Sequence, residues 1–306
     1  MRCRILIALQ ILLTALIYSF ILSLLAMGFT LQYITLNVPN LAYSSIAFFC
    51  TYLTLTFSIL KFSPYTSLPF AFVLGGTISF LLFKFLKLLK EKGMSIVGLM
   101  MATIVFDLLL YAGMNIYSDY LARNLQIYTA SFSLVEHDFK ILGLPGILFI
   151  SAGTCLSLVI LFTLLLFKTK FGIAMRAAVE NYALASTQGI DVDRIVGIAW
   201  FFVGGVAGIS GALYPLWFSM DPWVGARMFI TIFAACILGG IKSVYGSIVG
   251  GSIIAFSEIF LSYFLSFFFP WVWSYRSVIS MIVAAVSLVK MPEGFAGYIS
   301  KVRKGG

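Results

Sequence analysis

Residues 5–36 read ILIALQILLTALIYSFILSLLAMGFTLQYITL, a run of 32 residues without a single charge. At about 1.5 Å per residue such a run outreaches a hydrocarbon core of roughly 30 Å. The rest of the chain follows the same composition. Of 306 residues, 61% are hydrophobic and 10% charged, with a mean hydropathy of +1.06. A soluble domain carries about 25% charged residues. The sequence therefore specifies a polytopic, all-α transmembrane helical bundle.

Apolar stretches fall near 5–36, 46–60, 67–86, 96–117, 143–167, 195–218, 226–241, 246–269 and 276–290. We expect about 8–10 spans in one transmembrane domain, 1–306. The run after MRCR is too long for a signal h-region and reads as a retained first span. Three breaks are basic: Lys84 to Lys92, Lys168 to Arg194, and the tail from Lys290. With Arg2 and Arg4 they hold 14 of the 20 basic residues, and the positive-inside rule places them all in the cytoplasm. The break at 118–142 holds Asp119, Glu136 and Asp138 and is expected outside. Nine single crossings would put the two basic ends on opposite faces, so either one segment fails to span or 5–60 hides a further crossing. The net charge of +9 is thus a membrane signature. Nucleic-acid binding is not expected, because no folded basic face with aromatics exists.

Chemistry-bearing residues are sparse. Cys50, Cys155 and Cys236 lie in apolar runs, His137 is the only histidine, and no C-x-x-C pair occurs, so neither a metal site nor a disulfide is expected. No Ser/His/Asp arrangement or H-E-x-x-H marks a membrane enzyme. Asp107 and Glu258 are acids inside apolar runs, functional by default, although Glu258 could equally anchor packing. Gly204, Gly208 and Gly211, with Gly246 and Gly250, offer faces for close helix contact. Trp271, Trp273 and Tyr275 read as an interfacial belt.

Two interruptions stand out. After Gly28 the chain turns polar, and Pro39 must break or kink a helix. The second reads GGIKSVYGSIVGG, 239–251. Broken segments in the two halves of a transporter point to its solute path, because irregular backbone at membrane depth must line a cavity or be buried. Asn37, Asn40, Tyr43 and Ser44 are the expected lining on one side, and Gly239, Gly240, Ser243 and Gly246 on the other. Lys242 is either a solute contact or a lysine snorkelling to an interface.

The longest basic break is KTKFGIAMRAAVENYALASTQGIDVDRI, 168–195. Its alanines predict a helix over 173–188, with Arg176 and Glu180 at i,i+4. Gly189 suits the position that ends this helix, and Asp191 can cap the next. The residues of F-G-x-x-x-R-A-x-x-E-N followed by G-I-D-V-D-R resemble the permease subunits of branched-chain amino-acid ABC importers. MGFTLQY with NLAYS (27–44), ILGGIKSVYGSIVGG…SE (237–258) and MPEGFAG (291–297) agree in order and spacing, and the LivH-like subfamily fits best. Tyr43 stands where that family has His, Ser44 where it has Gly, and Lys242 where it has a small residue.

The resemblance implies that segment 168–194 couples to an ATP-binding subunit through Gly172, Arg176, Ala177, Glu180, Asn181, Ala185, Gly189 and Ile190. It also implies a second permease subunit (LivM-like, or a second copy), two ABC ATP-binding subunits and an extracytoplasmic solute-binding protein. ATP would sit on the partner subunit and no cofactor on this chain, which has no G-x-x-x-x-G-K-[ST] loop. The function so implied is inward movement of amino acids across the cell membrane. The rival from the residues alone is an ion-coupled secondary transporter, whose charges would cluster at mid-depth.

Overall fold

The computed structural model describes residues 2–126, 129, 131–141, 143–269, 272, 275–290 and 294–297. Among the described residues eleven α-helices run α1 (Arg2–Leu36), α2 (Tyr43–Ile59), α3 (Leu68–Glu91), α4 (Ile96–Leu125), α5 (Gly146–Lys168), α6 (Lys170–Glu180), α7 (Tyr182–Thr187), α8 (Val192–Leu213), α9 (Val224–Gly239), α10 (Val244–Ser266) and α11 (Arg276–Lys290). A two-residue hairpin, β1 (Lys140–Ile141) and β2 (Leu144–Pro145), precedes α5. Among the described residues seven helices are long and apolar enough to cross a membrane. The apolar helices α2 and α9 are half-length elements of 17 and 16 residues. All nine apolar stretches are helical.

Two sets of four helices mirror one another. In the first, α1 to α4, helix α3 lies along α8; in the second, α8 to α11, helix α10 lies along α1. Each set thus lends its third helix to the other's first, and α5 to α7 connect them. Glycines make these approaches possible. A Cβ on Gly204 would collide with the Gly75 carbonyl, on Gly208 with that of Ala71, and on Gly211 with that of Ala47. Along α10, a Cβ on Gly251 would press on Ser23 of α1. Without a hydrophobic drive between helices in lipid, such backbone proximity is a main source of association.

Helix direction settles the parity of the ends. The C-terminal end of α1 shares a cavity with Lys87, Lys90 and Asp193, the basic end of the bundle. Near its start, Ile7 and Ile11 lie beside Tyr263 and Phe267, and Thr14 accepts a hydrogen bond from Trp217 Nε1 at 3.1 Å. Trp217 adjoins Ser219, whose hydroxyl meets Ser131 of the acidic break. Helix α1 therefore starts at the end opposite the basic breaks, which corrects the cytoplasmic placement of Arg2 and Arg4. Helix α11 starts at that same end, its Arg276 beside Tyr214, so the start of α1 and the end of α11 lie at opposite ends of the bundle. The positive-inside rule is a bias summed over loops, and two arginines do not outweigh the other breaks.

A second correction concerns 118–142. Helix α4 continues through Ser118–Leu125, whose leucines, alanine and arginine favour a helix, and stops at Gln126 in the left-handed region, φ 53°. The expected belt at Trp271 and Trp273 lies outside the described residues, while Tyr275 is exposed.

Candidate functional site

The break after α1 is built by its own residues. Asn37 takes a left-handed conformation, φ 54°, which Asn tolerates better than most residues, and Pro39 follows two positions later. Gln32, on the last turns of α1, is 1% exposed. Its Nε2 donates to Ser79 Oγ of α3 at 2.7 Å, and its Oε1 accepts from Asn40 Nδ2 at 2.9 Å. Asn40 Oδ1 in turn accepts from the Ala42 N–H at 3.1 Å, and Leu41 N–H reaches Thr103 Oγ1 of α4 at 3.3 Å. Three helices thus satisfy a non-helical segment at membrane depth, as irregular backbone there requires.

Helix α2 starts at this network. The Tyr43 ring is fully buried with its hydroxyl against Gly28, where a side chain would collide with it. The Tyr43 and Ser44 hydroxyls have no hydrogen-bond partner among the described residues. Beside them, half-buried Asp107 of α4 lies next to Ser45, and a Cβ on Gly225 at the start of α9 would come within 2.8 Å of the Ser45 Oγ. The first turns of the two half-length helices therefore meet, and that turn of α9 is a partner the sequence did not suggest.

The residues at 239–246 have other neighbours. Gly239 and Gly246 pack backbone to backbone where α9 turns into α10. Gly240 holds φ +103°, and Ser243 Oγ caps α10 by accepting from Gly246 N–H at 3.1 Å. Lys242 is exposed on this turn. Among the described residues no hydrogen bond joins this group to Asn40.

The basic break forms two helices rather than the single one expected over 173–188. Asn181 is extended, φ −152° and ψ 102°, and its Oδ1 accepts from Leu184 N–H at 3.0 Å, so it caps α7 and interrupts the helix. Thr169 caps α6 in the same way through Gly172 N–H, at 3.1 Å, and Gly172 fits tightly under the carbonyls of Leu165 and Leu166. Arg176 does not pair with Glu180; its guanidinium lies over the Phe167 ring at 5.1 Å. Gly189 holds φ +79°, the helix-ending conformation expected of it, and Asp191 Oδ1 caps α8 through Arg194 N–H at 3.1 Å.

Buried Ala178 and Ala185, with half-buried Ala177 and Ile190, seat α6 and α7 on the bundle. Ile173, Glu180, Tyr182 and Leu184 stay exposed. Asp193 fastens the pair to the membrane helices. It binds Lys87 Nζ of α3 at 2.8 Å and accepts from the Tyr182 hydroxyl at 3.1 Å. Partial burial and that acceptor push the Tyr182 phenol above its ordinary pKa, so it stays protonated and donates.

Sequence reasoning missed a buried ionic node at the opposite end. Glu258 is fully buried and accepts from Ser280 Oγ at 2.6 Å, from Arg276 Nε at 3.1 Å and from the Tyr18 hydroxyl at 3.2 Å. Arg276 also donates to the Tyr214 hydroxyl at 2.9 Å. The signal was available: Arg227 and Arg276 are charges set in or at the edge of apolar runs.

Half-length helices meeting at depth, irregular backbone satisfied internally, and a capped helix pair exposed beyond the basic end define a multi-pass membrane transport subunit. Comparison with known proteins gives the family. Residues 11–288 match the family described as branched-chain amino acid transport system / permease component, and the chain belongs to it. The probable branched-chain amino acid transport permease protein LivH of Methanocaldococcus jannaschii is 41% identical over 285 residues, 92% of this chain and 90% of that protein. The high-affinity branched-chain amino acid transport system permease protein LivH of Escherichia coli K12 is 30% identical over 130 residues, 42% of this chain and 40% of that protein. A solved chain of PsaBC from Streptococcus pneumoniae, in complex with Fab, shares the fold at a TM-score of 0.54 and 16% identity, covering 94% of this chain and 95% of that one. As the permease component of an ABC transport system, the subunit works with separate ATPase subunits.

Proposed function

We propose that this subunit carries branched-chain or related small amino acids into the cell, driven by ATP hydrolysed on two ABC subunits that engage α6 and α7. The observation that carries the reading is the exposed face of Ile173, Glu180, Tyr182 and Leu184, held rigidly to α3 and α8 through Asp193. A partner pushing on that face would move the bundle rather than a loose loop. Gly172, Arg176, Ala177, Asn181, Ala185, Gly189 and Ile190 shape and seat the pair. A second permease, LivM-like or a second copy, and an extracytoplasmic solute-binding protein complete the assembly.

Amino acids would pass along the break, by Asn37, Asn40, Tyr43 and Ser44. The turn at Gly239, Gly240, Ser243 and Gly246 would flank the inner end of the path. The buried, unpaired hydroxyls of Tyr43 and Ser44 support a polar solute there. An apolar cavity of ≈ 420 Å³ under the break, lined by Thr35, Val38, Phe83 and Leu86, gives it an inner outlet. The test is leucine uptake into proteoliposomes with and without the ATPase subunits. Uptake that needs no ATPase but follows an ion gradient would favour the secondary-transport reading instead.

A further inference from the structure

At the end of the bundle opposite the basic breaks lies a polar cavity of ≈ 360 Å³. Arg276 forms part of its wall, with the Glu258 carboxylate behind it. Glu258 is saturated by Ser280, Tyr18 and Arg276, whereas Arg276, its guanidinium over the rings of Tyr18 and Phe218 at 5.4 and 5.5 Å, keeps its side chain 21% exposed and lines the cavity. A buried ion pair is a poor staple, because apolar residues of similar size hold helices together as well or better. A guanidinium fixed in place is, however, a preformed fork for a carboxylate.

The cavity lining holds a second pair. Arg227 binds Asp221, and both residues remain partly exposed to the cavity. Two guanidiniums and one unburied carboxylate thus face a common space, beside the apolar side chains of Val224, Met228 and Phe218. That is the complement of a zwitterion with an aliphatic side chain. A solute leaving water needs such fixed partners, since unpaired charge is expensive at a low-dielectric wall.

We propose that this cavity is the receiving site for the amino acid. Arg276 and Arg227 take its carboxylate, Asp221 takes its ammonium, and the Val224–Met228 wall takes its side chain. The site rests on the amino-acid import proposed above. It lies at the start of α9, the same helix whose first turn meets α2.

The test is uptake of radiolabelled leucine by proteoliposomes holding the assembled transporter, with loaded solute-binding protein in excess. Association of that binding protein is measured in parallel. Arg227→Gln and Asp221→Asn are preferred to changes at Arg276, whose loss would strand Glu258. Each should lower the uptake rate about tenfold or more, the worth of a hydrogen bond to a charged group, with association unchanged. The exchanged pair Arg227→Asp with Asp221→Arg should stay impaired, because the polarity of the site is inverted.

Uptake within about twofold of wild type in both single variants would overturn the proposal. So would full recovery in the exchanged pair, which would make it a structural bridge. Loss of binding-protein association in step with uptake would make the rim a docking surface instead. A wild-type assembly unable to move leucine at all would remove the import reading itself, a separate outcome.

Discussion

Replacing Asn40 with Ala should unfasten the break after α1. Its side chain makes two buried hydrogen bonds, to Gln32 Oε1 at 2.9 Å and from Ala42 N–H at 3.1 Å, at a residue 1% exposed. A side-chain hydrogen bond inside a membrane protein averages about 0.6 kcal/mol, but a buried group left unpaired costs about 1–3 kcal/mol. Two such losses give roughly 2–6 kcal/mol for Asn40→Ala. Gln32→Ala should cost a similar amount, because it strands Ser79 Oγ and Asn40 Nδ2. The two changes share one bond, so the double variant should be less destabilised than the sum by about 1 kcal/mol. The assay is equilibrium unfolding in mixed micelles, followed by loss of helical signal. Single-variant losses below about 0.5 kcal/mol, or additivity within about 0.3 kcal/mol, would refute the network as the clasp of the break.

Gly189→Val places a β-branched residue at φ +79°, a local strain of about 1–3 kcal/mol; the protein should still insert but lose substrate-stimulated ATP hydrolysis in the reconstituted complex. Asp193→Asn weakens the Lys87 tie and should lower uptake severalfold while detergent stability shifts by less than about 1 kcal/mol, as for a partly exposed pair. Gly208→Leu drives a side chain into the Ala71 carbonyl and should cost about 3 kcal/mol or more, seen as loss of the monodisperse species on size exclusion. In intact cells an impermeant thiol reagent should label a cysteine placed at Ser131 and spare those at Lys92 and Ser186. A tag fused before α1 should be reached from the same side as Ser131.

Features governed by neighbours in sequence could be read directly. Pro39 ended α1 where a proline must, Gly189 took the positive φ that ends a helix, and Asp191 capped α8. Asn181 marks the limit of that reading. In its run of alanines it passes as a helical residue, and only its extended backbone reveals a cap. Contacts between distant residues left no local trace. The Gln32–Asn40–Ser79 chain joins three elements, and Glu258 meets Arg276, Tyr18 and Thr231 from three further helices. The meeting of α2 with α9 was missed for a related reason. Turn residues at 239–246 advertise a break in sequence, whereas the start of α9 is recognisable only from what packs on it.

The exchange of third helices between the two halves constrains how the chain is made. Helix α1 leaves the ribosome first, yet the partner lying along it, α10, begins only at Val244. At synthesis rates of about 5–20 residues per second, α1 waits about 10–40 s in the bilayer before that partner arrives. A helix with charges or a strongly polar stripe could not wait so long against lipid. The uncharged, largely apolar surface of residues 5–36 makes α1 a stable lodger until then, although it ends among the most enclosed helices of the bundle. Helix α8 has no such wait, because α3 is already in place when it emerges. The order of synthesis thus asks of α1 a charge-free surface that can face lipid alone before the bundle closes around it.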